Sequence, residues 1–437
     1  MIATADLFET VEQADAMCAS GVVLRVVGLA VVASGPGLPV GDTCAIDTPA
    51  GPLPAVVTGF REGEIILQPL GGIDGVRAGD RVVAGRGPLR VPVGPGLISR
   101  VIDGIGRPLD GRGPIPGSAF RSIHAAPPAA LGRRPIASVL ETGIRAIDGL
   151  FPIGYGQRMG IFAGSGVGKS TLLGELARGA RADVNVIALV GERGREVGEF
   201  LHKVLGPEGL ARSVVIVATS DRPAVERLTA AYAAHAVAEH FRDAGLQVLL
   251  MMDSVTRLCM AAREIGLAAG EAPVARGYPP SAFALLPRLL ERAGTGEGEG
   301  SITGLYTVLI EADDENDPVG DTVRGILDGH LFLSRRLAGQ AIYPAIDPTL
   351  SISRLAVDLC AADDYRIGVL ARERLSTFER IRDLVEVGAF KAGADPGADA
   401  AIAAQPRLLG VLRQPTGERT ARAEALAALR QALGVAA

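Results

Sequence analysis

Ala163-Gly164-Ser165-Gly166-Val167-Gly168-Lys169-Ser170-Thr171 is the stretch that decides how this chain is read. An apolar run, Arg158-Met159-Gly160-Ile161-Phe162, leads into it. Leu172, Leu173, Leu176 and Ala177 follow at helical spacing. Strand, glycine-rich loop and helix, in that order, is the setting in which a loop cradles phosphate. Gly164, Gly166 and Gly168 open backbone conformations closed to other residues, so successive N–H groups turn inward on an anion. A helix beginning near Lys169 adds the positive end of its dipole. Lys169 is placed to reach the β- and γ-phosphates, and the Ser170 hydroxyl to ligate Mg2+. The whole run Gly164 to Thr171, with Ser165 and Val167, is therefore the nucleotide-binding candidate. The strict pattern G-x(4)-G-K-[ST] has glycine at the first position, where this chain has Ala163.

Moving outward, two apolar strands end in acids. Val184 to Val190 is almost wholly apolar, as expected where a parallel sheet is covered on both faces, and runs into Gly191-Glu192-Arg193. The carboxyl ends of such strands face the ligand crevice, so Glu192 is a candidate to orient or deprotonate the attacking water. Capping the helix that follows is its other reading. Val248 to Met252 ends in Asp253, placed to hold the water shell of Mg2+. Farther on, Ser351-Ile352-Ser353-Arg354 follows Tyr343-Pro344-Ala345-Ile346-Asp347-Pro348. An arginine held on a loop steadies charge on a transferring phosphoryl group, although spacing alone does not single out Arg354.

The rest of the chain frames this core. With 437 residues, 48% hydrophobic and 21% charged, it has room for two or three domains with ample core. Its net charge of −5 argues against a protein that lives on nucleic acid. Cys18, Cys44, Cys259 and Cys360 are scattered without a C-x-x-C pair, which suits reduced thiols in a cytosol. No signal pattern or membrane-length apolar run is present. Residues 1–20 read as a short helix that caps the fold or docks a partner. Residues 21–92 read as a small β-barrel, with short apolar runs between glycine and proline turns. Phe60 is the only aromatic residue between 21 and 90, so an assembly collar fits better than an oligonucleotide-binding surface. Residues 93–355 read as a doubly wound α/β core entered through a proline- and glycine-rich connector. Residues 356–437 read as a helical domain, with helices over Arg372 to Val387 and Ala421 to Leu433. Its charged helix is expected to face solvent. The five histidines form no ligand cluster.

Taken together, the motifs carry a resemblance. Beyond the phosphate loop come Gly-Glu-Arg-Gly-Arg-Glu-Val from 191, Asp-Ser-Val-Thr-Arg from 253 and Arg276-Gly277-Tyr278-Pro279-Pro280-Ser281. Glu291-Arg292-Ala293-Gly294, Gly300-Ser301-Ile302-Thr303 and Ile326-Leu327-Asp328-Gly329-His330 follow, before Tyr-Pro-Ala-Ile-Asp and Ser-Ile-Ser-Arg. This order resembles the ATPases of type III protein export, the flagellar and virulence-secretion branch of the rotary ATPases. It is more distantly similar to the catalytic subunit of F-type ATP synthase. The match is dense from about 136 to 360.

The resemblance implies a P-loop core with an N-terminal β-barrel and a C-terminal helical domain, and ATP with Mg2+ as ligands. It implies Lys169 on the β- and γ-phosphates, Ser170 and Asp253 on Mg2+, Glu192 as catalytic carboxylate and Arg193 beside it at the phosphate. Tyr343 would stack on adenine, and Arg354 would be an arginine finger entering the adjacent subunit's site. Because one chain carries both Glu192 and Arg354, copies of it can build complete sites, so a homohexamer is expected. Implied partners are a stator or regulator at the N-terminus, export-gate and stalk proteins, and export substrates and chaperones at the helical domain. Nucleic acid is not expected. The expected location is the cytoplasmic face of the cell membrane, reached through partners. The leading function is flagellar export. The alternatives are the virulence-secretion counterpart with the same chemistry, an RNA-translocating ring helicase and a non-catalytic nucleotide-binding ring subunit.

Overall fold

The computed structural model describes residues 19–310 and 317–435. The helix expected over residues 1–20 falls almost wholly outside them, and Ser20 already opens the first strand.

Strands β1 (Ser20–Val27), β2 (Ala30–Ala33), β3 (Asp42–Thr48), β4 (Gly51–Arg61), β5 (Glu64–Pro69) and β6 (Arg81–Pro88) close into a barrel. Their order is β1-β2-β5-β4-β3-β6, with β6 pairing back onto β1. Alternation builds it: Val23, Val31, Ile46, Val57, Leu67 and Val82 are buried inside, while Val22, Leu24 and Val26 point out and stay exposed. Closure removes the unpaired edges that such short strands would otherwise present. The barrel meets the core through Val56 and Leu70, which pack on Val225.

The core sheet runs through β7 (Val101–Asp103), β8 (Arg158–Ala163), β9 (Val184–Val190), β10 (Ser213–Ala218), β11 (Gln247–Asp253), β12 (Ser301–Leu309), β13 (Gly329–Leu333) and β14 (Ile352–Ser353). Spatially the order is β14-β13-β8-β12-β11-β9-β10-β7. All neighbours are parallel except the last edge, where β14 runs antiparallel to β13. Every residue of β9 and of β10 is buried, as a strand covered on both faces requires. The connector is therefore less loop-like than its composition suggests. It supplies the edge strand β7 and a ribbon of Arg90–Val93 with Ala119–Ser122.

Helices α1 (Arg145–Leu150), α2 (Lys169–Gly179), α3 (Gly194–Glu199), α4 (Ala224–Asp243) and α5 (Val255–Ala268) surround the sheet, and α6 (Arg335–Gly339) follows β13. α4 is buried on nearly every side rather than along one stripe, and alanines let it lie close to the strands. Its Glu239 accepts two hydrogen bonds from the buried Arg292 guanidinium, at 2.7 and 3.0 Å. Arg292 also donates to the Ile123 carbonyl at 2.7 Å, so one side chain ties connector, helix and the end of the Glu-Arg-Ala-Gly segment together.

After a short turn of helix at Ala356–Leu359, the C-terminal region is built on α7 (Ala362–Glu386), α8 (Pro396–Leu412) and α9 (Arg422–Leu433). α8 is the element that sequence pattern did not separate from the Gly393–Gly397 break. It starts on Asp395, whose carboxylate accepts the N–H groups of Gly397 and Ala398, with Pro396 at the first helical position. Ala398, Ala401, Ala404, Leu408 and Leu412 form its buried stripe. Leu408, Leu412 and Leu429 share one apolar cluster with Ile147 and Leu150 of α1. Arg145 strengthens that seam, donating to the carbonyls of Val411 and Arg413 at 2.8 Å each. The charged face of α7 is not wholly solvated, because Glu379 pairs with Arg336 of α6 at 3.0 Å. Among the described residues, no helix is long and apolar enough to cross a membrane.

Candidate active site

β8 delivers the chain to the phosphate loop at Ala163, and α2 starts at Lys169. Gly166 and Gly168 adopt φ of 78° and 92°, a region that strains any residue with a Cβ. The turn thus depends on these two glycines, and it leaves the first N–H groups of α2 facing the crevice.

Three strands converge on this loop. β11 ends in Asp253, two places across the sheet from β8. Lys169 Nζ donates to Asp253 Oδ1 at 2.6 Å and lies 3.8 Å from Glu192 Oε1. Thr307, on the intervening β12, donates its hydroxyl to the same Asp253 oxygen at 2.7 Å. Glu192 follows the end of β9. Burial pushes its carboxyl up to about 7, the negative charge of Asp253 adds to the rise, and Lys169 opposes it. Its neighbour across the site is Glu196 of α3, whose carboxyl is held below the usual range, first by its hydrogen bond with Glu192. A proton shared by the two therefore resides on Glu192.

Two adjoining cavities flank the loop. The first, about 570 Å³, is lined by the loop with Lys169, Ser170, Glu192, Arg193, Glu196, Arg257 and Arg335. The second, about 550 Å³, opens on the other side of Gly166, Gly168 and Thr171. Tyr343 lines it, with its ring edge 3.5 Å from where a Cβ on Gly168 would stand. The opposite wall comes from the helical domain: Arg413, Gln414, Pro415, Thr416 and Glu418. Gln414 is fixed there by donating its backbone N–H to the Tyr343 carbonyl at 2.8 Å. The first cavity has the charge and donors for phosphates. The second has the apolar walls and aromatic ring for a base.

The donor set near the loop suits Mg2+: Ser170, Asp253, Glu192 and Glu196 all offer oxygen. Glu192 Oε1 is buried and accepts no hydrogen bond, as expected of an oxygen shaped for a hydrated cation or a water. Among the described residues, no group of three His, Cys, Asp or Glu could hold a metal by itself.

Every sequence candidate but one gathers here. Arg193 reaches the first cavity but is largely exposed and pairs with Glu196 at 3.0 Å. Arg354 does not gather. Its N–H donates to the Asp328 carbonyl at 3.0 Å, just before Gly329, while Leu333 is the β13 residue beside Ala163. Five strand steps, roughly 16 Å, therefore separate it from the loop along the strand direction. The Arg354 side chain is exposed at the β14 edge and, among the described residues, donates only to the Arg324 carbonyl, at 3.1 Å. Sequence reasoning missed Glu196, Arg257, Thr307, Arg335 and the 413–418 wall. Glu196 and Arg257 lie within the quoted Gly-Glu-Arg-Gly-Arg-Glu-Val and Asp-Ser-Val-Thr-Arg segments and were legible there. The others carry no local pattern.

Comparisons agree with this architecture. The model of the ATP synthase alpha/beta family, nucleotide-binding domain, matches residues 143–353. The beta-barrel domain of the same family matches 23–84, and the T3SS EscN ATPase C-terminal domain matches 362–431. The flagellum-specific ATP synthase of Bacillus subtilis strain 168 is 49% identical over 99% of both chains. The type 3 secretion system ATPase of Xanthomonas euvesicatoria is 50% identical, covering 92% of this chain and 91% of its own. Among solved structures, the assembled ATPase EscN of the enteropathogenic E. coli type III secretion system superposes with a TM-score of 0.90 at 43% identity, covering 94% of this chain and 100% of that one. EscN in complex with its central stalk EscO gives 0.87 at 42% identity over the same shares. With near-complete coverage at such identity, the chain belongs to the family of flagellum-specific ATP synthases and type 3 secretion system ATPases.

Proposed function

We propose that this chain hydrolyses Mg-ATP to energise or gate type III export of flagellar proteins, working as a homohexameric ring with nucleotide at the subunit interfaces. One observation carries the reading. Lys169, Asp253 and Glu192 converge on the phosphate loop, while Arg354 stands exposed at the far end of the sheet edge.

Phosphate oxygens are held by the loop N–H groups and by Lys169, which exchanges the Asp253 carboxylate for the β- and γ-phosphates. Ser170 and Asp253 would then hold Mg2+, whose chemistry is to neutralise phosphate charge. Tyr343 and the 413–418 wall sandwich the adenine. Glu192 orients the attacking water and accepts its proton as the water oxygen bonds the γ-phosphorus and the bond to the ADP oxygen breaks. Arg193 pins Glu196, which sets the proton position on Glu192. Arg354 of a neighbouring copy steadies the charge on the transferring group. The barrel serves as the ring's collar. Residues 1–20 take a stator or regulator, and the helical domain takes the stalk, the export gate and chaperoned substrates. These partners hold the protein at the cytoplasmic face of the membrane.

Specific ATPase activity should rise with protein concentration and fall away on dilution, with native mass reporting a six-copy species. A flat profile down to dilute monomer would sink the shared-site reading. The second reading is a virulence-secretion ATPase, favoured by the 50% identity to the Xanthomonas protein. A deletion strain that keeps its motility would favour that alternative.

A further inference from the structure

Arg335 opens α6, directly after β13. Its guanidinium lies on the phosphate loop so closely that a Cβ built on Gly164 would stand 2.8 Å from both Nε and Nη2. Gly164 is not among the positive-φ glycines, so the feature that marks this position is its close approach to the Arg335 guanidinium. Arg335 lines the cavity that contains Glu192 and Lys169, and is absent from the one that contains Tyr343. It is therefore on the terminal-phosphate side of the loop.

Two of the other three cations of that cavity differ from it; the third, Arg257, has a buried Nε that makes no hydrogen bond. Lys169 is compensated by Asp253 and Arg193 by Glu196. Arg335 makes no hydrogen bond or ion pair with any described residue, and its side chain is exposed to the cavity mouth. Its neighbour is anchored in the opposite direction. Arg336 donates an ion pair to Glu379 of α7 at 3.0 Å and reaches Asp347 at 3.8 Å. One five-residue helix thus carries a guanidinium on the phosphate loop and another on the helical domain.

We propose that Arg335 is a second nucleotide-reading arginine, supplied by the chain's own subunit: it binds the γ-phosphate and distinguishes ATP from ADP. Through Arg336 and Glu379 its position follows that of α7, so movement of the helical domain changes how well the site holds a triphosphate. The inference rests on the ATP-binding reading above and adds a residue that acts in cis, where Arg354 acts across the interface.

Calorimetry with AMP-PNP and with ADP, each with Mg2+, tests it without turnover. Arg335→Gln keeps most of the side-chain bulk and should weaken AMP-PNP about tenfold or more, as loss of a charge-assisted bond to phosphate does. ADP affinity should move less than about threefold, since ADP lacks the group it reads. Arg335→Lys should regain part of the difference, because a point charge replaces the planar fork. Equal losses for both nucleotides, or none, with unchanged thermal unfolding, would overturn the proposal. Should Arg335→Gln unfold, the Lys variant decides alone: an unchanged AMP-PNP to ADP affinity ratio overturns, and a reduced ratio supports. Wild-type protein that binds neither nucleotide would instead fail the ATP-binding reading itself.

Discussion

The loop end of β8 and the β14 edge belong to one sheet yet are finished to different degrees. At the loop, three charged groups have partners in the same chain: Lys169 on Asp253, Asp253 on Thr307, Arg193 on Glu196. At the edge, the exposed Arg354 side chain meets, among the described residues, one carbonyl. A buried ionic cluster is costly unless its geometry is completed, so its completion in cis marks a site that persists in the free chain. An exposed guanidinium on an ordered strand has no such constraint and remains available to another copy. The contrast teaches which half of the chemistry a single copy owns.

Breaking that contrast gives the largest effect. Arg354→Ala should cut turnover by about 10³-fold or more, the scale seen for arginine fingers, and leave AMP-PNP binding near wild type. Glu192→Gln should cost about 10² to 10⁴ in turnover through loss of the proton acceptor. If the two residues serve one site from two copies, mixing the inactive variants restores activity. Random equal mixing leaves about a quarter of interfaces with both groups intact. Steady-state ATPase assays on the co-refolded or re-equilibrated mixture check this. Activity no higher than the sum of the two variants would place both residues in the same copy.

A second comparison sets Arg354 against Arg292. Arg292 is 1% exposed and grips Glu239, which is equally buried. Removing Arg292 leaves the buried Glu239 with only the longer ion pair to Arg121, at 3.5 Å, so Arg292→Ala should destabilise the protein by about 3 kcal/mol. Arg354→Ala should stay within about 0.5 kcal/mol, as exposed substitutions do. Denaturant titrations of both variants at one temperature measure the difference. An Arg354→Ala loss as large as that of Arg292→Ala would make the edge arginine structural.

What could be read from the sequence divides along similar lines. The phosphate loop, the two wholly apolar strands and the closed barrel were legible because local physics forces their residues: glycines where φ is positive, unbroken apolar runs where both faces are covered, alternation where one is. α8 was not. Its alanine stripe is weakly apolar, Gly397, Pro406 and Gly410 interrupt it, and packing against α7, α9 and α1 selects it. Arg335 and the 413–418 wall are brought to the loop by tertiary contacts, and no spacing along the chain records that approach. The resemblance named Arg354, but only register along β13 and β14 shows that its own loop is out of reach.

The smallest effect concerns the proton on Glu192. Because burial and Asp253 raise this carboxyl to about 7, it is protonated below that pH and an acceptor only above it. kcat/KM, which reports the free enzyme, should therefore climb through pH 7 and level off on the alkaline side. Asp253→Asn removes the second of three upward influences and leaves burial and the Glu196 hydrogen bond opposed by Lys169 and Arg257. The acid limb should then move to lower pH by about one unit, whatever the change in absolute rate. Rate profiles from pH 5.5 to 9 with each variant separate shape from amplitude. A limb that stayed put in Asp253→Asn would mean that Asp253 does not set this proton. A limb that moved upward would mean that Glu192 is not the group that titrates. A downward shift would tie the carboxylate at the end of β11 to the proton acceptor beyond β9, and so join the buried half of the site into one electrostatic unit.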